Sequence, residues 1–207
     1  MHARSTNIHG DPARIDDAVA YLRGEVLPDL AEAEGWIGLS TLTDSETGRC
    51  IVATAWADKE AMRATAEEVR PTRHRVEHLL GSQHSDVQEW EIAVLHRDRA
   101  AGDGAAAQVA WARITPDHVD GLLDAYRMNL LPRLGGLPGF CSVSLLVDRR
   151  AGRTVSVTSF ENRDALALAR RHARSLREQF AQAMGAKIVD VHEMDLAVAH
   201  LRVPETV

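Results

Sequence analysis

His74 and His78 are the residues of this 207-residue chain whose spacing first suggests chemistry. Four apart on a helix, with Glu77 between them, their imidazoles would share a face and could take a metal ion, a haem edge or a substrate proton. They are the candidate catalytic pair. His96 and His200 end two strand-like runs, and His192 shares their face; such an imidazole either hydrogen-bonds a neighbouring carbonyl or moves protons. Trp36, Trp56 and Trp90, with Phe140, Phe160 and Met194, are large residues at strand ends, suited to a core or to the wall of a pocket for a flat ligand. Trp56, Trp90, Trp36, Phe160 and His192 are therefore candidate substrate contacts. Arg70, Arg73, Arg174 and Arg177 recur on helices, but 22 of the 24 basic residues are arginine, so they read as surface ion-pairing groups. Glu89 and Glu193 are their expected partners across an interface. The sequence has no Gly-rich phosphate loop, no Ser-His-Asp spacing and no zinc-ligand quartet. Cys50 and Cys141 lack CxxC spacing and read as buried thiols, so no tightly bound metal, flavin or nicotinamide is expected.

The elements that must position these groups are written twice. At an offset of 104 residues the chain matches itself without a gap from about Asp11 to His96, with about two dozen identities. His74 and His78 fall on Glu178 and Gln182, so only the first copy has the pair. Ile15, Val19, Leu22, Val26 and Leu30 recur at helical spacing, as do Val119, Leu123, Tyr126, Leu130 and Leu134. Asp11-Pro12 and Thr115-Pro116 read as helix starts, and Pro28 and Pro132 should kink or end each helix. Strands are expected over 36–43 and 50–56, and again over 140–147 and 154–160, each pair joined by a turn ending in glycine. Helices should follow over 59–80, split at Pro71, and over 163–184, closed by Gly81 and Gly185. Alternating strands over 87–96 and 191–200 end the copies, and weaker strands near 5–9 and 109–114 begin them. The order β-α-β-β-α-β is that of a ferredoxin-like unit. The expected domains are 1–96 and 109–207, joined by an exposed linker over 97–108 (RDRAAGDGAAAQ). The last strand is apolar on both sides, so the two sheets should press together as an intrachain pseudo-dimer.

Composition narrows the function classes. At 45% hydrophobic and 26% charged the chain can bury a core, and its net charge of −6, with signs mixed, disfavours nucleic acid and anionic membranes as partners. No apolar run is long enough to span a bilayer, and the N-terminus lacks the apolar core of a signal peptide, so a cytoplasmic location is expected.

Leu27-Pro28-Asp29-Leu30 followed by Glu34-Gly35-Trp36, and Leu131-Pro132-Arg133-Leu134 followed by Pro138-Gly139-Phe140, resemble the helix-to-strand signature of the dimeric α/β barrel superfamily. The branch they resemble is that of the antibiotic biosynthesis monooxygenase-like domains. Trp56-Ala57-Asp58-Lys59-Glu60-Ala61 is similar to that family's tryptophan at the end of the third strand, followed by a polar turn and Glu-Ala. Phe160-Glu161-Asn162-Arg163-Asp164-Ala165 repeats the pattern with Phe for Trp. His172-Ala173-Arg174-Ser175 with Phe180 is similar to the family's His-x-x-Ser and following aromatic, which adds His172 to the candidate substrate contacts.

The resemblance implies an α+β fold of two tandem ferredoxin-like units forming a dimeric α/β barrel within one chain. It implies a cofactor-independent monooxygenase acting on a small phenolic or quinone-like molecule. The alternative is a non-catalytic, ligand-binding or stress-associated protein of the same fold. Haem degradation is a third reading, weakened because no tryptophan stands near Thr65. The expected partner is a small apolar or aromatic ligand. If a reactive pocket exists, it should lie between sheet and helices of the first copy, around Trp56, His74, His78 and Trp90.

Overall fold

The computed structural model describes residues 1–102 and 104–201; Asp103 of the expected linker and residues 202–207 of the second repeat lie outside the described residues. The first copy contains β1 (His2–His9), α1 (Ile15–Tyr21), α2 (Leu27–Ala31), β2 (Trp36–Asp44), β3 (Arg49–Trp56), α3 (Lys59–Ala64), α4 (Arg70–Leu79) and β4 (Ser85–Arg97). The second contains β5 (Ala106–Arg113), α5 (Val119–Ala125), α6 (Leu131–Gly135), β6 (Phe140–Asp148), β7 (Arg153–Phe160), α7 (Arg163–Met184) and β8 (Lys187–Leu201). Each copy is thus β-α-β-β-α-β, the ferredoxin-like order. Hydrogen bonding links the strands as β1-β3-β2-β8-β5-β7-β6-β4 in a closed barrel order, the topology of a dimeric α/β barrel carried by a single chain.

The compact units are not the two halves of the sequence. Unit 1 takes residues 1–90 together with the end of β8 from Leu196, and unit 2 takes residues 91–195. Each copy therefore lends the end of its last strand to the other unit. In unit 2, Glu91 to Arg97 of β4 pair antiparallel with β6, with a bulge between Ile92 and Val94. The carbonyl of Ala93 at that bulge accepts from Arg127 Nη2 at 2.9 Å. In unit 1 the equivalent carbonyl, Ala197, accepts from Arg23 Nη2 at 2.6 Å.

Duplicated sequence produces duplicated local devices. Gly48 and Gly152 close their hairpins at φ +73° and +60°, and a Cβ at either would meet a backbone oxygen at 2.0 Å (Gly10) or 1.9 Å (Ile114). Asp58 and Asn162 are N-caps, each side chain accepting the N–H three residues on at 2.8 Å. Pro71 sits in the first turn of α4, which accounts for the break after α3. Pro28 and Pro132 do not end their helices. The preceding turns, Leu22–Val26 and Tyr126–Leu130, widen to π geometry, with Leu27 N–H bonding Leu22 O and Leu131 N–H bonding Tyr126 O. The wider turn moves the upstream carbonyl off the proline ring, so the chain bends and continues.

Unit 1 has a helix-side core of Ile8, Ile15, Ala18, Leu22, Val26, Cys50, Val76 and Leu80. A second cluster joins Trp36, Leu39, Trp56, Met62 and Val198. In unit 2 one cluster runs from α5 and α6 across Phe140, Val143 and Phe160 to α7. Cys50 and Cys141 are free, buried thiols, and burial pushes Cys50 up to about 12.

Candidate functional site

Local geometry places the histidine pair on the outside. Val76 is the inward-facing residue of α4, at 3% exposure. Positions two residues away lie about 200° around the helix, and His74 and His78 are both exposed. His74 Nδ1 lies 2.9 Å from Glu77 Oε2, and Glu77 also accepts from Ser85 Oγ. Burial works against ionisation of Glu77, but these hydrogen bonds prevail and hold its carboxyl below the usual range. Neither His74 nor His78 lines either of the two cavities found between sheet and helices, so in neither of those could they ligate a haem. Among the described residues no group of three or more His, Cys, Asp or Glu side chains could hold a metal ion.

The aromatic candidates are core. Trp56 and Phe160 are fully buried and Trp90 is 3% exposed. The Trp56 indole N–H donates to Thr54 Oγ1 at 3.1 Å, and that of Trp90 to Ser5 Oγ at 2.8 Å. Trp36 stacks on His200 at 5.5 Å, as Phe140 does on His96 at 6.3 Å. His172 is exposed on α7. His192 is half-buried, 3.0 Å from Asp190 Oδ2, with its ring edge-on to Trp111 at 6.0 Å.

Space for a ligand lies elsewhere, at the same place in each unit, between the sheet and the helices. About 60 Å³ in unit 1 and about 80 Å³ in unit 2 are open to the centre of a water-sized sphere, where one water needs roughly 10–15 Å³. The linings correspond at the repeat offset: Arg4 with Gln108, Leu22 with Tyr126, Val52 with Ser156, Arg73 with Arg177, Val76 with Phe180. Ala112 and Ala173 replace Ile8 and Val69, which enlarges the unit 2 cavity. Its walls are also partly aromatic, since Trp111, Tyr126 and Phe180 line it, with Tyr126 and Phe180 edge-to-face at 5.7 Å.

Polar groups converge inside this mostly apolar space. Arg177 Nη1 donates to Gln108 Oε1, and the buried Nε of Arg177 has no partner. Arg177 makes no ion pair among the described residues. Burial pulls its guanidinium down from the ordinary arginine range; Glu178 acts against that and Arg174 with it. Across the cavity the Tyr126 hydroxyl lies 2.9 Å from Ser156 Oγ. Burial pushes Tyr126 up to about 12 despite that hydrogen bond, so the phenol stays neutral and able to donate. A partly desolvated cation with no carboxylate paired to it, beside neutral donors and aromatic walls, is suited to a flat ligand with a developing negative charge.

None of these polar residues stands out in the sequence as a binding group. By spacing Arg177 reads as a surface pairing residue, a role the structure gives instead to Arg174, with Glu178 at 2.7 Å, and to Arg70, with Glu67 at 2.5 Å. Glu193 pairs with Arg170 at 2.7 Å, and Glu89 with Arg63 and Arg4, not with the repeated arginines. The readable signal is the difference between copies. Tyr126 and Ser156 stand where the first copy has Leu22 and Val52, two polar groups gained at positions that are apolar in the first copy.

No known family profile matches the sequence. Two Mycobacterium tuberculosis H37Rv proteins match all of it: Uncharacterized protein Rv2558, 44% identical with 88% of its length covered, and Uncharacterized protein Rv2557, 42% identical with 92% covered. Among solved structures, a candidate monooxygenase from Lactobacillus acidophilus NCFM superposes with TM-score 0.71 at 10% identity, covering 97% of this chain and 96% of that one. An anthrone oxidase-like protein gives 0.62 at 15% identity, covering 99% and 95%. The heme-degrading enzyme LmHde of Listeria monocytogenes gives 0.54 at 7%, covering 94% and 99%. At these identities the likeness is one of fold. Among the described residues no helix is long and apolar enough to cross a membrane.

Proposed function

The chain belongs to the family of the Mycobacterium tuberculosis proteins Rv2558 and Rv2557, on the antibiotic biosynthesis monooxygenase fold, and we propose that it oxidises a small phenolic or anthrone-like molecule in the unit 2 cavity without a cofactor. The observation that carries this reading is Arg177, a partly desolvated guanidinium facing an aromatic-walled cavity with no carboxylate paired to it.

The chemistry asked of the protein is modest. An anthrone that loses a proton to solvent becomes an electron-rich phenolate. Arg177 stabilises the oxyanion, with the neutral Tyr126 hydroxyl as a second donor. The ring lies against Trp111 and Phe180, and the anion supplies the electrons that reduce dioxygen. One oxygen atom replaces the two hydrogens of the reacting ring carbon, giving a carbonyl, and the other leaves as water. Anthrone plus O₂ thus yields anthraquinone plus H₂O, and the substrate itself is the reductant. The anthrone oxidase-like and monooxygenase fold neighbours support this class of reaction.

Ligand binding without turnover is the second reading, favoured by one observation. Tyr126 ionises only far above neutral pH, so among the described residues that line the cavity none is poised as a base. Oxygen uptake with anthrone, followed alongside tryptophan quenching, separates the two. Arg177→Met should cut kcat/KM by about 100-fold or more, within the range for losing an oxyanion donor, while His78→Ala leaves it unchanged. Quenching without oxygen uptake would leave the binding reading, and uptake unaltered in Arg177→Met would remove this cavity as the site.

A further inference from the structure

We infer that the unit 1 cavity is a second and independent ligand site, which takes a short aliphatic monocarboxylate. Its floor is the face of β1 that carries Arg4, Thr6 and Ile8. Arg4 is only 7% exposed. One of its terminal nitrogens, Nη2, donates to Met62 O at 2.8 Å and reaches Glu89 Oε1 at 3.4 Å; the other, Nη1, is buried without a partner. A buried guanidinium nitrogen with unused donors is costly unless something occupies the space in front of it.

Charge in the cavity is unbalanced. Glu89 is half-exposed and shared with Arg63, which holds its other oxygen at 3.3 Å, so it neutralises Arg4 only in part. Arg73 lines the same cavity from α4; its guanidinium makes no hydrogen bond or ion pair among the described residues, and the carboxylate that feels its charge, Glu77, is already held by Ser85 and His74. Two guanidinium groups thus face one small space, a match for the planar, two-oxygen geometry of a carboxylate.

The walls select the rest of the ligand. Leu22, Val26, Leu30, Val52 and Val76 are aliphatic, and among the described residues no aromatic side chain lines the cavity. At the equivalent positions of Leu22 and Val76, unit 2 has Tyr126 and Phe180. A flexible alkyl chain packs against such branched side chains, whereas a flat ring finds no face to stack on. The smaller volume limits that chain to a few carbons.

Calorimetric titration of the full chain with hexanoate tests the assignment. Hexanoate should bind, and hexanol and hexylamine should not. Arg73→Met should weaken hexanoate about tenfold or more, the scale of one charge-assisted hydrogen bond, and Val52→Phe should abolish binding by filling the cavity. Arg4→Met should weaken it at least as much. Because Arg4 also holds Met62, Arg73→Met and Val52→Phe are the deciding variants, with circular dichroism confirming their folding. Arg177→Met should leave hexanoate affinity unchanged, and Arg73→Met should leave anthrone oxygen uptake unchanged, so the two sites stand or fall separately. Hexanoate binding equally well to Arg73→Met, lost in Arg177→Met, or absent at millimolar concentration in the wild type would overturn the inference.

Discussion

If Arg177 is the anion-stabilising group, a phenol bound in the unit 2 cavity should ionise more readily than in water. Para-nitrophenol is a suitable probe because its phenolate absorbs in the visible. A net gain of about 1.5–3 kcal/mol for a hydrogen bond to a charged group corresponds to a lowering of about 1–2 pKa units for the bound phenol. Bare Coulomb attraction at 4 Å would be about 4 kcal/mol at an effective dielectric of 20, but Arg177 is half-exposed and solvent screens part of it. The apolar walls of Leu130, Leu134 and Leu145 act the other way, since burial disfavours an anion. In Arg177→Met only the walls and the neutral Tyr126 hydroxyl remain, so the bound phenol should ionise at higher pH than it does in the wild type. The assay is a spectrophotometric pH titration of the dye with protein in excess, for wild type and variant. Arginine stays charged throughout, so the displacement reports the ligand alone. A bound dye whose pKa is raised in both proteins, or equally lowered in both, would refute the role given to Arg177.

Tyr126→Phe removes a hydrogen bond to Ser156 and should cost about 1 kcal/mol, or roughly 2–4 °C in Tm for a chain of this size; Tyr126→Phe with Ser156→Ala should cost less than the sum of the singles in a double-mutant cycle read by urea melts. Gly185→Ala, at φ +66° with open space around its Cβ, should cost about 1 kcal/mol, whereas Gly152→Ala, at φ +60° and facing a backbone oxygen at 1.9 Å, should cost several-fold more in the same melts. Glu77 and Asp148 both ionise below the usual carboxylate range when folded; burial opposes this, and hydrogen bonds from Ser85 and His74, and from Arg153 and the backbone, outweigh it. Depressed folded pKa values mean that their stabilisation is fully present above the unfolded carboxylate range near about 4 and is lost as pH falls through the folded values. Tm should therefore drop on the acid side, and Glu77→Gln with Asp148→Asn should flatten that slope. His78→Ala, on an exposed helix face, should change stability by less than about 0.5 kcal/mol.

Much of the fold was legible in the chain because its causes are local. Alternation in 87–96 and 191–200, the helical run over 163–184, the helix starts at Asp11-Pro12 and Thr115-Pro116, and the hairpin glycines all act within a few residues, and the match between the two copies reinforces them. Pro28 and Pro132 mark where each helix departs from regular α geometry, but the form of that departure, a π turn after which the helix continues, appears only in the folded backbone. Site residues were harder to see. His74 and His78 share a helix face by spacing alone, yet only the packing of Val76 decides that this face meets solvent. Arg73 and Arg177 look like any other helical arginine of this chain, and only their position over the sheet separates them from Arg70 and Arg174, which form surface pairs. The exchange of the ends of β4 and β8 between units is likewise invisible to a self-comparison of the sequence, because strand partners are chosen by hydrogen bonds between residues far apart in the chain. Periodicity and turn chemistry are local properties and were determined by the sequence; which cation loses its water, and which strand completes which sheet, are set by non-local contacts that exist only in the folded molecule.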